Sequence, residues 1–140
     1  MMDLHIFGLF DAITFEPVKP TYAIRLISGK CYSEERKPLF DSTLYRAIRF
    51  YQFDDITPRA GRGILFTEAM ARDILLDFTT QRSGIEALVV HCFFGKNRSP
   101  AVAMALNEIY GLGHDTDALK KKYNEANWYL YNLLKKTASG

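Results

Sequence analysis

The segment Ala87–Pro100 has the sequence ALVVHCFFGKNRSP and decides the fold class of this 140-residue chain. It opens with the unbroken apolar run Ala87–His91, which is typical of a short strand buried on both faces of a sheet. Ser99 and Pro100 then predict the start of a helix, because serine is a favourable N-cap and proline is favoured at the first helical position. A buried strand that leads through a short loop into a helix indicates α/β architecture.

The elements on both sides of this segment complete the predicted fold. Further strands are expected upstream, at Leu4–Phe10, Tyr22–Ile27 and Leu44–Phe53. One helix is expected over Leu65–Thr80, and the helix that begins at Ser99 is expected to end near Tyr110, before Gly111. A single last helix, capped by Asp115 or Thr116, should have the apolar stripe Leu119, Tyr123, Ala126, Leu130 and Leu133. We therefore expect a single domain over residues 1–140, with a central, mostly parallel sheet flanked by helices.

The composition excludes several classes of protein. A hydrophobic fraction of 48% and a charged fraction of 24% are typical of a globular chain. The net charge of +2 is too small to predict a nucleic-acid partner. Two cysteines, Cys31 and Cys92, do not make a disulfide framework, and the start of the chain does not resemble a secretory signal, so we expect a cytoplasmic protein. No apolar run approaches the roughly 20 residues of a membrane span, so no membrane partner is expected.

The loop between the buried strand and the helix, HCFFGKNRS over residues 91–99, contains the groups of an anion site. Helix N-termini bind anions through their free N–H groups and the helix dipole. Gly95 permits a tight backbone turn that would direct successive N–H groups inward. Arg98 adds a guanidinium whose planar fork suits a phosphate. The loop is therefore predicted to bind a phosphate-like group.

Cys92 is predicted to lie at the floor of this loop, at the carboxyl end of the buried strand. The helix dipole, the loop N–H groups and Arg98 would together favour the thiolate over the thiol. A thiolate that faces a bound phosphate is a nucleophile suited to phosphoryl transfer. The residues alone thus indicate chemistry through a cysteinyl-phosphate.

The same residues resemble the loop H-C-x5-R-[ST] of the protein tyrosine phosphatase superfamily, including the glycine three residues after the cysteine. The following Pro100–Ala103 resembles its compact dual-specificity-like branch. The resemblance implies a hydrolase that needs no metal or cofactor and acts on a phosphorylated protein or a small phosphoester.

The resemblance also implies a role for each residue of the loop. Cys92 would be the nucleophile, Arg98 would bind the phosphate and stabilise the transition state, and Ser99 would donate a hydrogen bond to the thiolate. His91 would orient the loop by bonding to the backbone and would not act as a general base. The phosphate would be held by the backbone N–H groups of Phe93, Phe94, Gly95, Lys96, Asn97 and Arg98.

Two loop residues depart from the family pattern, and three nearby cations stand out. Phe94 replaces a small residue, and Asn97 stands where glycine or serine is frequent. Lys96 resembles a lysine of some phosphoinositide phosphatases, which leaves a polyanionic substrate open. Arg59 and Arg62 follow the pair of aspartates described next and are candidates to contact an anionic substrate.

A phosphatase of this kind also needs a general acid, which the family supplies from an aspartate on an upstream loop. Asp54 and Asp55 end a predicted strand and are followed by a helix and then by the Cys92 strand, an order that resembles the family arrangement. Strand alternation directs the two side chains to opposite faces, so one of them should serve. Asp55 is favoured because it lies further into the loop, while Asp54 could brace it. Both could instead be turn formers, and Asp41 is a weaker candidate.

Other functions remain open at this stage. The loop could bind phosphate in a chain that has lost catalysis, or it could perform other Cys-x5-Arg chemistry, such as rhodanese-like sulfur transfer or arsenate reduction. His5 and His114 have no partner at ligand spacing, so no metal site is expected. Cys31 is interpreted as an ordinary small residue, with a redox partnership to Cys92 as the alternative.

Overall fold

The computed structural model describes residues 1–140 and contains one sheet of four strands. All neighbouring strands are parallel, and the order across the sheet is β1-β4-β2-β3. The strands are β1 (Asp3–Phe7), β2 (Thr21–Ile27), β3 (Tyr45–Gln52) and β4 (Ala87–His91). The predicted α/β class and single domain are confirmed, and the sheet is entirely parallel.

Five helices flank the sheet, and two short 3-10 turns lie at Ser33–Arg36 and Arg82–Gly84. The helices are α1 (Leu9–Thr14), α2 (Glu68–Gln81), α3 (Arg98–Tyr110), α4 (Thr116–Lys122) and α5 (Trp128–Ser139). None of them is long and apolar enough to cross a membrane.

The two faces of the sheet are covered unequally. Alternate residues of β2 point to opposite faces, as the period of two requires. Tyr22, Ile24 and Leu26 join the large core beneath α2, α3 and α5, whereas Ala23 packs with Ala12 of α1 on the other face. Every residue of the central strand β4 is buried, which explains its unbroken apolar sequence.

The carboxyl ends of the four strands meet at one edge of the sheet, because all the strands are parallel. β4 leads into Cys92, β3 into Phe53 and Asp54, β2 into Ser28, and β1 into Gly8. Ligands of open α/β sheets bind at this edge. The fold therefore brings four separate loops together around the predicted anion site.

Two predicted boundaries near this edge are wrong. The strand predicted at Leu4–Phe10 ends at Phe7, and α1 begins at Leu9, because Leu9 and Ala12 are buried by helical spacing rather than by strand alternation. The helix predicted from Leu65 begins at Glu68, with Thr67 as its N-cap.

The last third of the chain also differs from the prediction. Ser99 is not the N-cap of α3, because the helix begins at Arg98 and the cap position is Asn97. The single last helix is two helices, since the chain breaks between Lys122 and Trp128. Asp115 caps the first of them, as predicted.

Candidate active site

The Cys92 side chain lies at the floor of the loop and is 2% exposed. Its sulfur accepts a hydrogen bond from the Gly95 backbone N–H, with an N–S distance of 3.2 Å. The Ser99 hydroxyl oxygen lies 3.1 Å from the same sulfur. These two contacts converge on a buried sulfur atom.

Ser99 can support either protonation state of Cys92. Its hydroxyl oxygen lies 3.3 Å from the carbonyl oxygen of Phe7 as well as beside the sulfur. A hydroxyl carries one proton, so Ser99 can donate to a thiolate, or it can donate to Phe7 while it accepts from a thiol. The Ser99 hydroxyl can therefore act as a donor or as an acceptor towards the Cys92 sulfur.

The junction of β1 and α1 supports the loop from behind. The Cys92 N–H donates to the Phe7 carbonyl at 3.3 Å, and the Leu9 N–H donates to the Phe93 carbonyl at 3.0 Å. Gly95 has a φ of +73°, and a Cβ there would lie 2.5 Å from the backbone nitrogen of Gly8. Glycine is therefore required at position 95 for both its conformation and its close packing.

Arg98 is 5% exposed and reaches across the edge of the sheet. Its Nη1 donates to the carbonyl oxygen of Phe53 at 2.8 Å, and its Nη2 donates to the Ser28 hydroxyl at 3.3 Å. A guanidinium has five N–H groups, so these bonds fix its plane and leave the other groups for a ligand. Arg98 is thus held rigidly before any anion binds.

The loop also contains N–H groups that are available to an anion. Within the chain, the backbone N–H groups of Phe93, Phe94, Lys96 and Asn97 form no hydrogen bond. Those of the residues that open α3 have no intrahelical acceptor, as at every helix start. These N–H groups are therefore not committed to an acceptor within the chain.

His91 is fully buried and linked to Arg25 of β2. Arg25 Nε donates to His91 Nε2 at 2.8 Å, and His91 Nδ1 lies 3.3 Å from the Cys92 carbonyl oxygen. Because Nε2 accepts, the ring is neutral with its proton on Nδ1, which donates to the backbone. Burial, and secondarily the charge of Arg25, lowers the pKa of His91 to about 4. The ring is therefore placed to orient the loop.

This buried imidazole predicts a pH dependence of folding. The folded-state pKa lies below the unfolded value of about 6.5, so between these values the unfolded chain binds a proton that the folded chain does not. His91 should contribute about 3 kcal/mol to stability above pH 6.5 and lose it as the pH falls towards 4. Urea unfolding of the wild type and of His91→Gln at pH 7 and pH 4.5 measures this. The decrease in the free energy of unfolding between pH 7 and pH 4.5 should be about 2–3 kcal/mol smaller in the variant than in the wild type.

A matched control separates this effect from general acid denaturation. The variant His114→Gln leaves His91 in place and should retain the wild-type difference between the two pH values. Equal pH dependence in the wild type and in His91→Gln would contradict the prediction.

The Asp54 side chain connects the loop after β2 to the loop after β3 by hydrogen bonds. Its Oδ1 accepts the Gly29 N–H at 3.0 Å, and its Oδ2 accepts the Ile64 N–H at 2.7 Å. Burial alone would raise the pKa of Asp54, but the two backbone hydrogen bonds, with the charges of Arg98 and Lys30, lower it below its usual value. Both oxygens are engaged, so this carboxylate is a poor proton donor.

Asp55 is exposed and has different partners. Its Oδ1 accepts a hydrogen bond from Asn127 Nδ2 at 2.9 Å, and its Oδ2 has no partner within the chain. Asn127 Nδ2 also donates to the Ile56 carbonyl, and Asn127 Oδ1 caps α5 by accepting the Leu130 N–H. One Asp55 oxygen is thus anchored by Asn127, and the other has no partner within the chain.

The break between α4 and α5 links this aspartate to the anion loop. Asn97 Nδ2 donates to the Glu125 carbonyl at 2.7 Å, and the Asn127 N–H donates to the Asn97 carbonyl at 3.0 Å. Asn97 is therefore hydrogen-bonded to the segment between α4 and α5. Asn127, at the end of the same segment, is hydrogen-bonded to Asp55. These hydrogen bonds explain why asparagine is suited to position 97.

Two other predicted residues of the loop, Phe94 and Lys96, are exposed. Phe94 is 72% exposed and packs edge-on against Phe93, whose ring in turn faces Tyr32. Lys96 is exposed on the loop. Cys31 lies in the loop after β2, partly exposed, and no group of three or more acidic, cysteine or histidine side chains could hold a metal ion.

Sequence reasoning missed three residues of the site. Arg25 lies in β2 and Ser28 follows the strand directly. No local sequence pattern distinguishes these two residues from other polar residues in or beside strands. The position of Asn127 could have been predicted from the sequence, since asparagine is a favourable N-cap before an apolar helical stripe. Its role was missed because the stripe continues through the break and predicts one helix.

No protein-family model and no curated protein matches this chain. The functional assignment therefore depends on the residues of the site and on their geometry.

Proposed function

We propose that this chain is a cysteine-dependent phosphatase, of the protein tyrosine phosphatase type, that hydrolyses phosphate monoesters through a cysteinyl-phosphate. The observation that carries the proposal is the arrangement around Cys92. Its buried sulfur accepts the Gly95 N–H and lies beside the Ser99 hydroxyl, at the floor of a loop of free N–H groups. Arg98 is fixed at the start of the helix that follows. A nucleophile and an anion site thus occupy the same loop.

In the first step the Cys92 thiolate attacks phosphorus in line with the leaving oxygen. The S–P bond forms while the P–O bond to the leaving group breaks, and the leaving oxygen takes a proton from Asp55. The loop N–H groups and Arg98 stabilise the charge on the remaining phosphoryl oxygens. The products are a cysteinyl-phosphate and a neutral alcohol or phenol.

In the second step water attacks the cysteinyl-phosphate. Asp55, now a carboxylate, takes a proton from the water as the O–P bond forms. The S–P bond breaks, and Ser99 stabilises the departing thiolate with its hydroxyl proton. Inorganic phosphate leaves, and both Cys92 and Asp55 return to their starting states, so no metal or cofactor enters the balance.

Asp55 suits the acid role better than Asp54 for a geometric reason. Both Asp54 oxygens accept hydrogen bonds from backbone N–H groups, and these bonds favour its ionised form. Asp55 Oδ2 is free, and Asn127 fixes the other oxygen. A general acid needs both a proton-bearing atom within reach and a fixed orientation.

The experiment that tests the proposal assays an aryl phosphate, thiosulfate with cyanide, and arsenate with a thiol reductant in parallel. We expect hydrolysis of the aryl phosphate alone. Sulfur transfer or arsenate reduction as the dominant activity would assign the other Cys-x5-Arg chemistries. Tight phosphate binding with no turnover of any substrate would indicate a recognition module.

Asn127 is expected to act as a positioning residue for Asp55. The variant Asn127→Asp keeps an oxygen that can cap α5 but removes the donor to Asp55 and places a like charge beside it. We expect kcat for phenyl phosphate to fall about tenfold, because Asp55 loses the hydrogen bond that fixes its orientation. Hydrolysis of p-nitrophenyl phosphate, whose leaving group needs little protonation, should fall much less.

The control for this prediction is Asn124→Asp, which adds the same charge to the same segment at an exposed side chain. It should keep wild-type kcat on both substrates. An equal loss on both substrates in Asn127→Asp would show a structural role without a link to the general acid.

A further inference from the structure

We propose that a cavity between the β2–β3 half of the sheet and the 3-10 turn Ser33–Arg36 binds a small carboxylate with an apolar body, and that Arg25 and His91 link this ligand to the Cys92 loop. The cavity is lined by no residue of the loop at 91–99 and by neither of the two aspartates. The inference therefore goes beyond the proposed function, and a binding experiment tests it independently of any hydrolysis.

The cavity has a volume of about 300 Å³ and lies on the face of the sheet that α1 packs against. Arg25 and Ile27 alternate with the β2 residues of the large core, so their side chains point to this opposite face. Their register partners on β3, Phe50 and Gln52, line the same cavity. The volume is at the lower end of small-molecule sites, so it suits a small ligand better than a protein segment.

The Arg25 guanidinium lines the cavity and has no carboxylate partner. It is partly buried and belongs to none of the four ion pairs of the chain. Its Nε donates to His91 Nε2 and its Nη2 donates to the Lys37 carbonyl oxygen, each at 2.8 Å, whereas Nη1 has no acceptor within the chain. Burial lowers the pKa of Arg25, as expected for a desolvated cation without a counter-ion. An anion in the cavity would supply that counter-ion.

The charges around the cavity favour a monoanion. Arg36 also lines it, is exposed, and forms no ion pair or side-chain hydrogen bond. Glu35 is the one acidic residue of the lining, and its two oxygens accept the Ser28 N–H at 2.9 Å and the Tyr32 N–H at 3.0 Å. Two guanidinium groups against one carboxylate leave a single positive charge, which a carboxylate balances and a doubly charged phosphate would exceed.

The shape and polarity of the lining indicate what else the ligand contains. A planar guanidinium matches the two oxygens of a carboxylate through parallel N–H donors. The Phe50 ring is 72% exposed, and Ile27 contributes aliphatic surface beside it. An aromatic or aliphatic body attached to the carboxylate would gain from contact with this ring. Benzoate is therefore a suitable probe.

The link to the loop is a chain of two hydrogen bonds. Arg25 Nε donates to His91 Nε2, and His91 Nδ1 lies 3.3 Å from the Cys92 carbonyl oxygen. A carboxylate paired with Arg25 offsets the positive charge that the guanidinium presents to the His91 ring. Because His91 does not line the cavity, a response of this ring reports the link and not direct contact with the ligand.

The test is an NMR titration of the wild-type protein with benzoate at pH 7 and constant ionic strength. We expect the backbone amide signals of Phe50 and Gln52 to shift with a Kd of about 1 mM, as a ligand of roughly ten non-hydrogen atoms allows. Benzyl alcohol, which has a similar shape and no charge, should bind at least about tenfold more weakly. The ring nitrogen signals of His91 should move with benzoate, while those of His5 and His114 should not.

Variants of the two arginines test the assignment of the site. Arg25→Lys keeps the charge but loses the planar fork, and we expect Kd for benzoate to rise about tenfold. Arg36→Gln should raise it about threefold, as a partly exposed ion pair allows. Arg36 is exposed and bonded to nothing in the chain, so its variant decides the test if Arg25→Lys does not fold. The matched control is Arg46→Gln, at an exposed position of β3 outside the cavity, which should keep the wild-type Kd.

Several results would overturn the inference. One is no binding at about 20 mM benzoate, roughly twenty times the expected Kd. Another is the same Kd in the wild type, Arg25→Lys and Arg36→Gln. Shifts confined to the amides of residues 93–98 would place the carboxylate on the anion loop instead. Unchanged His91 ring signals at saturation would overturn the link to the loop. None of these measurements uses turnover, so failure of the phosphatase proposal is a separate result.

Discussion

Cys92→Ser is expected to abolish hydrolysis of aryl phosphates, with a loss of kcat/KM of at least about a thousandfold. A serine hydroxyl at this position is not ionised by the surrounding donors, so the attacking thiolate is lost. The loop at residues 91–99, with its free N–H groups and Arg98, remains. The variant should therefore still bind inorganic phosphate or tungstate, which calorimetry measures while steady-state assays measure the lost turnover.

Cys31→Ser is the matched control, because it makes the same chemical change at the other cysteine. It should keep wild-type activity, since Cys31 lies outside the anion loop. Rapid quenching of the wild type with a radiolabelled substrate should trap phosphate on Cys92. Full activity in Cys92→Ser would rule out the cysteinyl-phosphate mechanism.

Asp55→Asn is expected to give the second largest loss, about a hundredfold to ten-thousandfold in kcat for phenyl phosphate. Asparagine keeps the shape of the side chain and can still accept the Asn127 amide, but it cannot give a proton to the leaving oxygen. The loss should be much smaller for p-nitrophenyl phosphate, because p-nitrophenolate departs without protonation. The slope of log kcat against the acidity of the leaving phenol should therefore become steeper in the variant.

Asp54→Asn should behave differently. Its amide group would face one of two backbone N–H donors, which leaves that donor unpaired and destabilises the fold by about 1–3 kcal/mol. Any loss of kcat should be similar for good and poor leaving groups. A steeper dependence on the leaving group in Asp54→Asn than in Asp55→Asn would assign the acid to Asp54 instead.

The predictions that held were those with a local cause. The apolar run Ala87–His91 was confirmed as the buried central strand because a strand covered on both faces needs apolar residues throughout. The end of α3 at Gly111 was confirmed because that residue adopts the left-handed conformation, which glycine adopts readily. These features depend on residues close together in the chain.

One prediction failed because a distant contact overrode the local pattern. The last helix breaks although its apolar stripe continues, and Asn97 of the anion loop bonds to the broken segment at Glu125. Helical periodicity reports which residues face a core, and it remains in phase across a short interruption. The start of α2 was misplaced for a local reason, because Thr67 is its N-cap and accepts the Met70 N–H with its side chain.

The amino-acid sequence by itself predicted the α/β class and the buried strand β4, and it placed Cys92 and Arg98 on the loop between that strand and a helix, because these features are encoded within a few consecutive residues. Only the tertiary structure decided how the two aspartates differ. Both Asp54 oxygens accept hydrogen bonds from the backbone N–H groups of Gly29 and Ile64. One Asp55 oxygen accepts a hydrogen bond from the Asn127 side chain. Gly29 and Asn127 lie far from the aspartates in the chain. Gly29 is near Asp54 because β2 and β3 end at the same edge of the sheet, and Asn127 is near Asp55 because the segment between α4 and α5 packs there. The packing of the sheet and helices, not local preference, sets such contacts.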